Sequence, residues 1–365
     1  MEILPTNSKS LNSNKVIFSL YNSLCILHGL FFFMEIRIGI GFGIVLISML
    51  QACREHNSIQ TANSQGVADS LVYYDEMLKA DSLQDSIYYS RGIWLIRKNQ
   101  LNKGIEDLKK AVQLRPDKPE YVFSLSDAYL LNIESRKSID VIDSLLLRKP
   151  DDIPTLQKKA RLHLIIQDYN ASLAVIDRIL EHDRENSQAY YLAGHVFYEQ
   201  GDTGRAVKSY QKAVDINPEF TEAWNQLGDI MSQLNNPLAI KFYDNALRMD
   251  SLNIETLHNR AYALQKEGRV KEAIEAYQTN IGKRPDFELS YYNLGILLYE
   301  SKQPDKALEN INQAILLNSK EPSSYYYRAK IFLEKGNKDL AKKDLQAAIA
   351  LYPDYEKAKQ LLKGL

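Results

Sequence analysis

One stretch of the chain, residues 187–220, has a spacing of large and small side chains that few folds allow. Two helical apolar patterns are separated by Gly201 and closed by Pro218. Glycine reaches left-handed backbone angles without penalty and proline cannot continue a helix, so the stretch predicts two short helices joined by a tight turn. The small residues Gly194 and Ala206 fall one on each predicted helix. Because small side chains let two backbones approach closely, the stretch predicts a helical hairpin.

The large residues of this stretch flank the small ones at fixed positions. Counted from residue 187, Tyr190 is at position 4, Phe197 at position 11 and Tyr210 at position 24. This spacing resembles the tetratricopeptide repeat, whose helix A is large-small-large and whose helix B is small-large-small. One such pair of helices cannot bury its own apolar face, so the resemblance implies further copies.

Copies of this spacing occur in register along most of the chain, with small residues at positions 8 and 20. The predicted repeats are 85–118, 119–152, 153–186, 187–220, 221–253, 254–287, 288–321 and 322–355. The fifth repeat is one residue short, and we place the deletion in the turn near Asn235-Asn236-Pro237. The resemblance implies an all-α fold, a right-handed α-solenoid of about eight repeats. Capping helices are predicted over 67–84 and 356–365, since an array needs polar ends for solubility.

A second resemblance lies before the repeats. An apolar run at 38–50 follows Arg37 and ends just before Ala52-Cys53. Read from Met34, this segment resembles a bacterial lipoprotein signal, with a short basic region, an apolar region and a small residue before the cysteine. The resemblance implies that Cys53 becomes a lipidated N-terminus.

The lipoprotein interpretation divides the N-terminal region into three parts. Residues 1–33 would be an extension outside the mature protein, 34–53 the signal or membrane segment, and 54–66 a polar, flexible tether. The alternative is a transmembrane anchor or hairpin that uses this run together with an earlier one at 16–34. Both alternatives attach the protein to a membrane, through a lipid anchor or through an N-terminal apolar segment.

Charge and motif content argue against several classes of function. The 365 residues contain 45 basic and 46 acidic side chains, without the basic stripe of a nucleic-acid-binding protein. Cys25 and Cys53 both precede the repeats, so the repeats have neither a disulfide framework nor a cysteine metal site. No zinc-protease, phosphate-loop or nucleophile-elbow motif occurs. The sequence predicts a protein that is not an enzyme, with no catalytic residues, no cofactor and no metal.

The resemblance also implies a binding surface. In this family the A helices line a concave groove, which positions 2, 5, 6, 9, 12 and 13 face. In the C-terminal half these positions are rich in amides and tyrosines, which can pair with a peptide backbone and pack on its side chains. The predicted groove residues are Asn225, Gln226, Asp229, His258, Asn259, Tyr262, Tyr292, Asn293, Tyr299, Tyr326, Tyr327 and Lys330. The alternative is that these positions are polar because they are exposed. In these C-terminal repeats, the basic side chains with which some family members grip a C-terminal carboxylate are missing.

These resemblances imply a non-catalytic interaction scaffold that binds a protein or peptide. They place it in the bacterial cell envelope, lipid-anchored at the outer membrane or periplasmic face. An accessory subunit of an envelope secretion or outer-membrane assembly machine, or a regulator of an enzyme on another chain, are the alternatives. Five Asp-Ser-Leu or Asp-Ser-Ile tripeptides, beginning at residues 69, 81, 85, 143 and 250, are similar to an O-glycosylation acceptor of some bacteria. The simpler explanation is that Asp and Ser cap helices and form turns.

Overall fold

The computed structural model describes residues 64–365, which form α-helices joined by short turns. The predicted extension, the lipoprotein signal with Cys53, and the tether up to residue 63 lie outside the described residues. The eighteen helices are α1 (Ser64–Ala80), α2 (Asp85–Arg97), α3 (Leu101–Leu114), α4 (Pro119–Leu131), α5 (Ser135–Leu146), α6 (Ile153–Ile165), α7 (Tyr169–His182), α8 (Ser187–Glu199), α9 (Thr203–Ile216), α10 (Thr221–Gln233), α11 (Leu238–Met249), α12 (Ile254–Lys266), α13 (Val270–Lys283), α14 (Glu288–Glu300), α15 (Pro304–Leu317), α16 (Pro322–Glu334), α17 (Lys338–Leu351) and α18 (Glu356–Lys363). The prediction of an all-α fold is confirmed.

The described helices belong to two compact units, which we treat separately. The N-terminal unit ends at Asp202 and the C-terminal unit begins at Thr203, inside the fourth predicted repeat. In each unit the even-numbered helices from α2 to α16 are A helices and the odd-numbered helices from α3 to α17 are B helices. In the C-terminal unit each A helix contacts the next A helix as well as its own B helix, so the A helices form one continuous layer.

Every A helix that is followed by a B helix ends in the same tight turn. At position 15 of each repeat the backbone is left-handed, with φ from 53° to 78°; these residues are Asn99, Ile133, Gln167, Gly201, Asn235, Gly268, Lys302 and Gly336. The N–H of the following residue donates to the carbonyl five residues earlier, at 2.8–3.0 Å. This is the Schellman arrangement, which satisfies carbonyls left unpaired at a helix C-terminus. Asn235 is left-handed at position 15 of the short fifth repeat, as in the other repeats. The residue that this repeat lacks is therefore missing after position 15.

Within each unit, the two helices of a hairpin cross where the small residues stand. A Cβ atom added to Gly104 would lie 2.8 Å from the carbonyl oxygen of Gly92, so here the two backbones almost touch. In the second repeat the Ser138 hydroxyl donates to the Ser126 carbonyl oxygen at 2.9 Å. In the third, Ser172 donates to the carbonyl of the small residue facing it at 2.8 Å. The serines therefore keep the close crossing and satisfy their own buried hydroxyls.

The loops between repeats explain part of the Asp-Ser-Leu pattern. The backbone N–H of Leu83 donates to the Asp81 side chain at 2.9 Å, and that of Leu252 to Asp250 at 3.2 Å. The same turn forms at Asp183, where no serine follows. Two of the five tripeptides are thus accounted for by turn chemistry, and glycosylation stays a prediction.

An arginine at position 7 ties neighbouring helices together at the first repeat and at the last. Arg91 of α2 donates through two nitrogens to Asp107 of α3, both at 2.7 Å, and through a third to Asp75 of α1 at 2.5 Å. Arg328 of α16 makes the same two-pronged contact with Asp344 of α17. Paired, part-buried contacts of this kind hold geometry better than exposed ion pairs.

We predict that Gly228→Ala lowers the free energy of unfolding by about 1–2 kcal/mol. The added Cβ would lie 2.5 Å from the ring of Tyr243, which is fully buried and cannot retreat. Urea unfolding followed by circular dichroism measures the change. Gly282→Ala is the matched control, because nothing lies within 4 Å of its added Cβ. It should gain up to about 1 kcal/mol from helix propensity. Equal midpoints for the two variants would contradict a tight crossing at Gly228.

Candidate binding surface on the A helices of the C-terminal unit

The twelve predicted groove residues all lie on four A helices of the C-terminal unit, α10, α12, α14 and α16. Because consecutive A helices contact each other, side chains one repeat apart come within hydrogen-bonding distance. The structure therefore brings most of the twelve together in pairs, and the pairing differs between the two ends of the unit.

The amide of Asn225 on α10 is bonded to a hydroxyl group of α12. The Thr256 hydroxyl donates to Asn225 at 2.9 Å, and the same threonine is held by Asn253 at the start of α12. Asn253 also caps that helix by accepting the Thr256 N–H. The Asn225 carbonyl oxygen is consequently used inside the protein.

Asp229 is the centre of a second polar cluster on these helices. The Tyr243 hydroxyl from α11 donates to Asp229 Oδ1 at 2.7 Å, and Asn259 Nδ2 from α12 donates to the same oxygen at 3.1 Å. Burial raises the pKa of Asp229 to about 6, although both hydrogen bonds favour its ionised form. Desolvation outweighs the two donors here, so this carboxylate is costly to keep charged.

His258 is buried between aromatic rings and bonded to the next A helix. Its Nε2 lies 3.1 Å from Nδ2 of Asn293 on α14, and the rings of Tyr277 and Phe287 lie 5.6 and 5.4 Å away. Burial lowers the pKa of His258 to about 4, so the ring is neutral at neutral pH. His258 Nδ1 and the neighbouring buried amide nitrogen Nε2 of Gln226 have no hydrogen-bond partner among residues 64–365.

The other end of the surface is aromatic. Tyr292 of α14 and Tyr327 of α16 meet edge to face at 5.9 Å, and Tyr326 meets Tyr327 in the same way at 5.6 Å. The Lys330 ammonium lies over three of these tyrosine rings, 5.0 Å from the centroid of Tyr299, 5.1 Å from Tyr327 and 5.9 Å from Tyr326. All five side chains are half-buried, so they keep surface that a partner can contact.

Acidic side chains border this aromatic cluster. Burial and the nearby Glu334 carboxylate raise the pKa of Tyr299, and burial together with the charge of Glu300 raises that of Tyr327. The tyrosines therefore stay protonated and can donate hydrogen bonds at neutral pH. Tyr262, the remaining predicted residue, is 44% exposed, with Lys266 over its ring at 5.9 Å.

One member of the cluster was not predicted from the sequence. Tyr355, the residue before α18, places its ring 5.3 Å from Tyr326 and extends the aromatic surface to the end of the last repeat. Tyr355 is the last residue of the eighth predicted repeat and follows its B helix, whereas the predicted groove positions all lie on A helices. Within residues 64–365, no group of three or more histidine, cysteine, aspartate or glutamate side chains is arranged to hold a metal ion.

Comparison with known families identifies the repeats. Tetratricopeptide repeat profiles match residues 85–118, 194–235, 258–309 and 292–356. The chain is a tetratricopeptide-repeat protein. These matches fall in both units and reach all four A helices that carry the aromatic and amide surface.

Similar proteins come from distant organisms. The tetratricopeptide chain is 21% identical over 320 residues to a DnaJ homolog subfamily C member 7 homolog of Schizosaccharomyces pombe, covering 82% of this chain and 63% of that protein. It is 24% identical over 185 residues to protein FlbA of Caulobacter vibrioides, covering 50% of this chain and 31% of that one. The chain thus spans less than two thirds of the length of these curated relatives.

Solved structures agree on the fold. The C-terminal part of a tetratricopeptide-repeat protein from Cytophaga hutchinsonii has a TM-score of 0.53 at 17% identity, covering 65% of this chain and 98% of that one. The type IV pilus biogenesis factor PilW has a TM-score of 0.50 at 20% identity, covering 57% and 98%. Among residues 64–365, none of the helices has the length and apolar character needed to cross a membrane.

We predict that Asp229→Asn stabilises the protein at pH 7.5 by about 2–3 kcal/mol. Folding raises the pKa of this carboxyl from 3.8 to about 6, so its contribution is fully present below pH 4 and is lost as the pH rises towards 6. Asparagine keeps an oxygen that can accept both donors but carries no charge. The gain should therefore disappear at pH 4, and urea unfolding at both pH values measures it.

Asp244→Asn is the control for this experiment. Asp244 lies on α11 and pairs with Arg260 at 2.5 Å on the exposed surface, so its replacement should give no gain at either pH. Equal behaviour of the two variants would contradict a costly buried charge at Asp229.

Proposed function

We propose that this protein is a non-catalytic interaction scaffold of the bacterial cell envelope. A lipid on Cys53 attaches it to the membrane, and the A-helix surface of the C-terminal unit captures a peptide or protein segment. The observation that carries the binding proposal is the half-exposed cluster of Tyr292, Tyr299, Tyr326 and Tyr327 around Lys330.

The contacts divide the predicted groove into a structural part and a binding part. Asn225, Asp229, Asn259 and Asn293 use their polar atoms on neighbouring helices. Releasing them to a partner would leave buried groups unpaired, which costs about 1–3 kcal/mol for each group. The tyrosines meet one another through their rings and keep exposed surface for a partner. Large, rigid aromatic side chains with a polar tip are the residues that dominate binding energy at protein interfaces.

We predict that a photo-crosslinking amino acid at position 299 or 326 captures a partner in intact cells. The same group at Leu316 is the control, because this side chain on α15 is 76% exposed but belongs to a B helix. Crosslinked bands should appear at 299 and 326, be absent at 316, and weaken when Tyr327→Ala is added. Equal yields at all three positions, or none at 299 and 326, would contradict binding on the A-helix surface.

The anchoring proposal rests on the residues around Cys53. Ala52 is the small residue that a lipoprotein peptidase cleft accepts, and the preceding apolar run is of signal length. The chain has a net charge of only −1 and no basic cluster, so electrostatic attraction to anionic lipids would not hold it.

We predict that cells incorporate radiolabelled palmitate into the wild-type chain and that Cys53→Ala abolishes the label. Cys25→Ala is the control, since the proposed processing removes residue 25 from the mature protein. Label that persists in Cys53→Ala would refute the lipid anchor and favour an apolar membrane segment.

A further inference from the structure

In the N-terminal unit, one face of α6 is bridged to the A helices on both sides. Gln157 Nε2 donates to Asn186, the N-cap residue of α8, at 3.0 Å. Lys158 forms a close ion pair with Asp127 of α4, and its side chain is only 11% exposed. These two bridges fix α6 between its neighbours.

Arg161 stands one helical turn further along the same face, four residues after Gln157 and three after Lys158. No carboxylate of residues 64–365 lies within ion-pair distance of it, and its guanidinium makes no hydrogen bond there. The acid nearest in the adjoining helix is Asp127, which already holds Lys158. The arginine therefore feels the charge of Asp127 but has no ion pair of its own, although it is half-buried.

Two other half-buried arginines show what Arg161 lacks. Arg91 and Arg328 each face an aspartate, and hydrogen bonds to that aspartate raise their pKa. Burial instead lowers the pKa of Arg161. His195 on α8 does not compensate, since a histidine carries no negative charge and burial lowers its pKa to about 3. A half-buried charge without a partner is expensive in the free protein, so an anion that pairs with it would recover that energy.

We propose that Arg161 is an anion-binding subsite that receives a carboxylate from an acidic segment of a partner protein. The local charge argues for a carboxylate: Arg161 and Lys158 together with Asp127 carry one net positive charge, which one carboxylate matches and a dianionic phosphate exceeds. A planar guanidinium also fits a carboxylate in a two-pronged contact. This subsite rests on the proposed scaffold function but lies in the other unit from the tyrosine cluster.

The test is thermal unfolding of the full chain in detergent, with the acetylated, amidated peptide Gly-Glu-Gly, which carries one carboxylate, as the probe and inorganic phosphate at equal ionic strength as the comparison. For the wild type, the melting temperature should rise saturably with the peptide, by about 3 °C or more. Arg161→Met should melt above the wild type without peptide, because it removes an unpaired charge, and should lose the peptide-dependent shift. Arg178→Met is the control, since Arg178 is exposed and already paired with Asp151 and the Pro150 carbonyl; it should keep the shift.

Three results would overturn the subsite. They are the absence of a saturable shift in the wild type, the same shift in Arg161→Met, and a response to phosphate at lower concentration than to the peptide. A destabilised Arg161→Met would show that the arginine supports the fold instead. Each readout is independent of crosslinking at residues 299 and 326, so this proposal and the scaffold surface can fail separately.

Discussion

The close crossing of helix A and helix B is the constraint on which the rest of the structure depends. Where Gly92 faces Gly104, the backbones approach until a single added Cβ would touch a carbonyl oxygen. Serine serves at the same crossing in the second and third repeats, since its hydroxyl bonds to the opposing carbonyl. A hairpin held this tightly presents a fixed outer face to the next repeat, and the A helices of the C-terminal unit can then meet residue by residue.

The sequence predicts the hairpins well, because the small and large residues at the helix crossings recur at fixed spacing. It predicts the turns less well. Only three of the eight left-handed residues are glycine, and Ile133 is β-branched, so its backbone angle costs about 1–2 kcal/mol relative to a glycine. The Schellman hydrogen bonds and the fixed crossing of the hairpin impose that angle on whichever residue stands there. The preference of glycine for left-handed angles therefore predicts a turn at Gly201. No such preference indicates a turn at Ile133, Gln167 or Lys302.

The binding surface shows a similar division. Repeat position indicates which side chains lie on the A-helix surface, but it cannot tell which of them satisfy one another. Asn259 and Asn293 occupy the same repeat position, yet one donates to a carboxylate and the other meets a histidine ring. Such pairing depends on side chains one repeat away. The repeat position of a single residue does not identify them. At the aromatic end the contacts are between rings, which leave part of each half-buried side chain exposed.

Position within the repeat also decides the fate of an arginine. At position 7, Arg328 points towards the B helices and finds acceptors on two of them, Asp344 at 2.7 Å and Asn312 at 2.9 Å. At position 9, Arg161 has only A helices on either side, and the acid there is already paired. A charge that points towards the B helices is paired within the protein. A charge on the A helices is paired only when a neighbouring repeat supplies a partner. Where no neighbouring repeat supplies a partner, the half-buried charge destabilises the free protein. A ligand that pairs with this charge removes the cost, and the recovered free energy adds to its affinity.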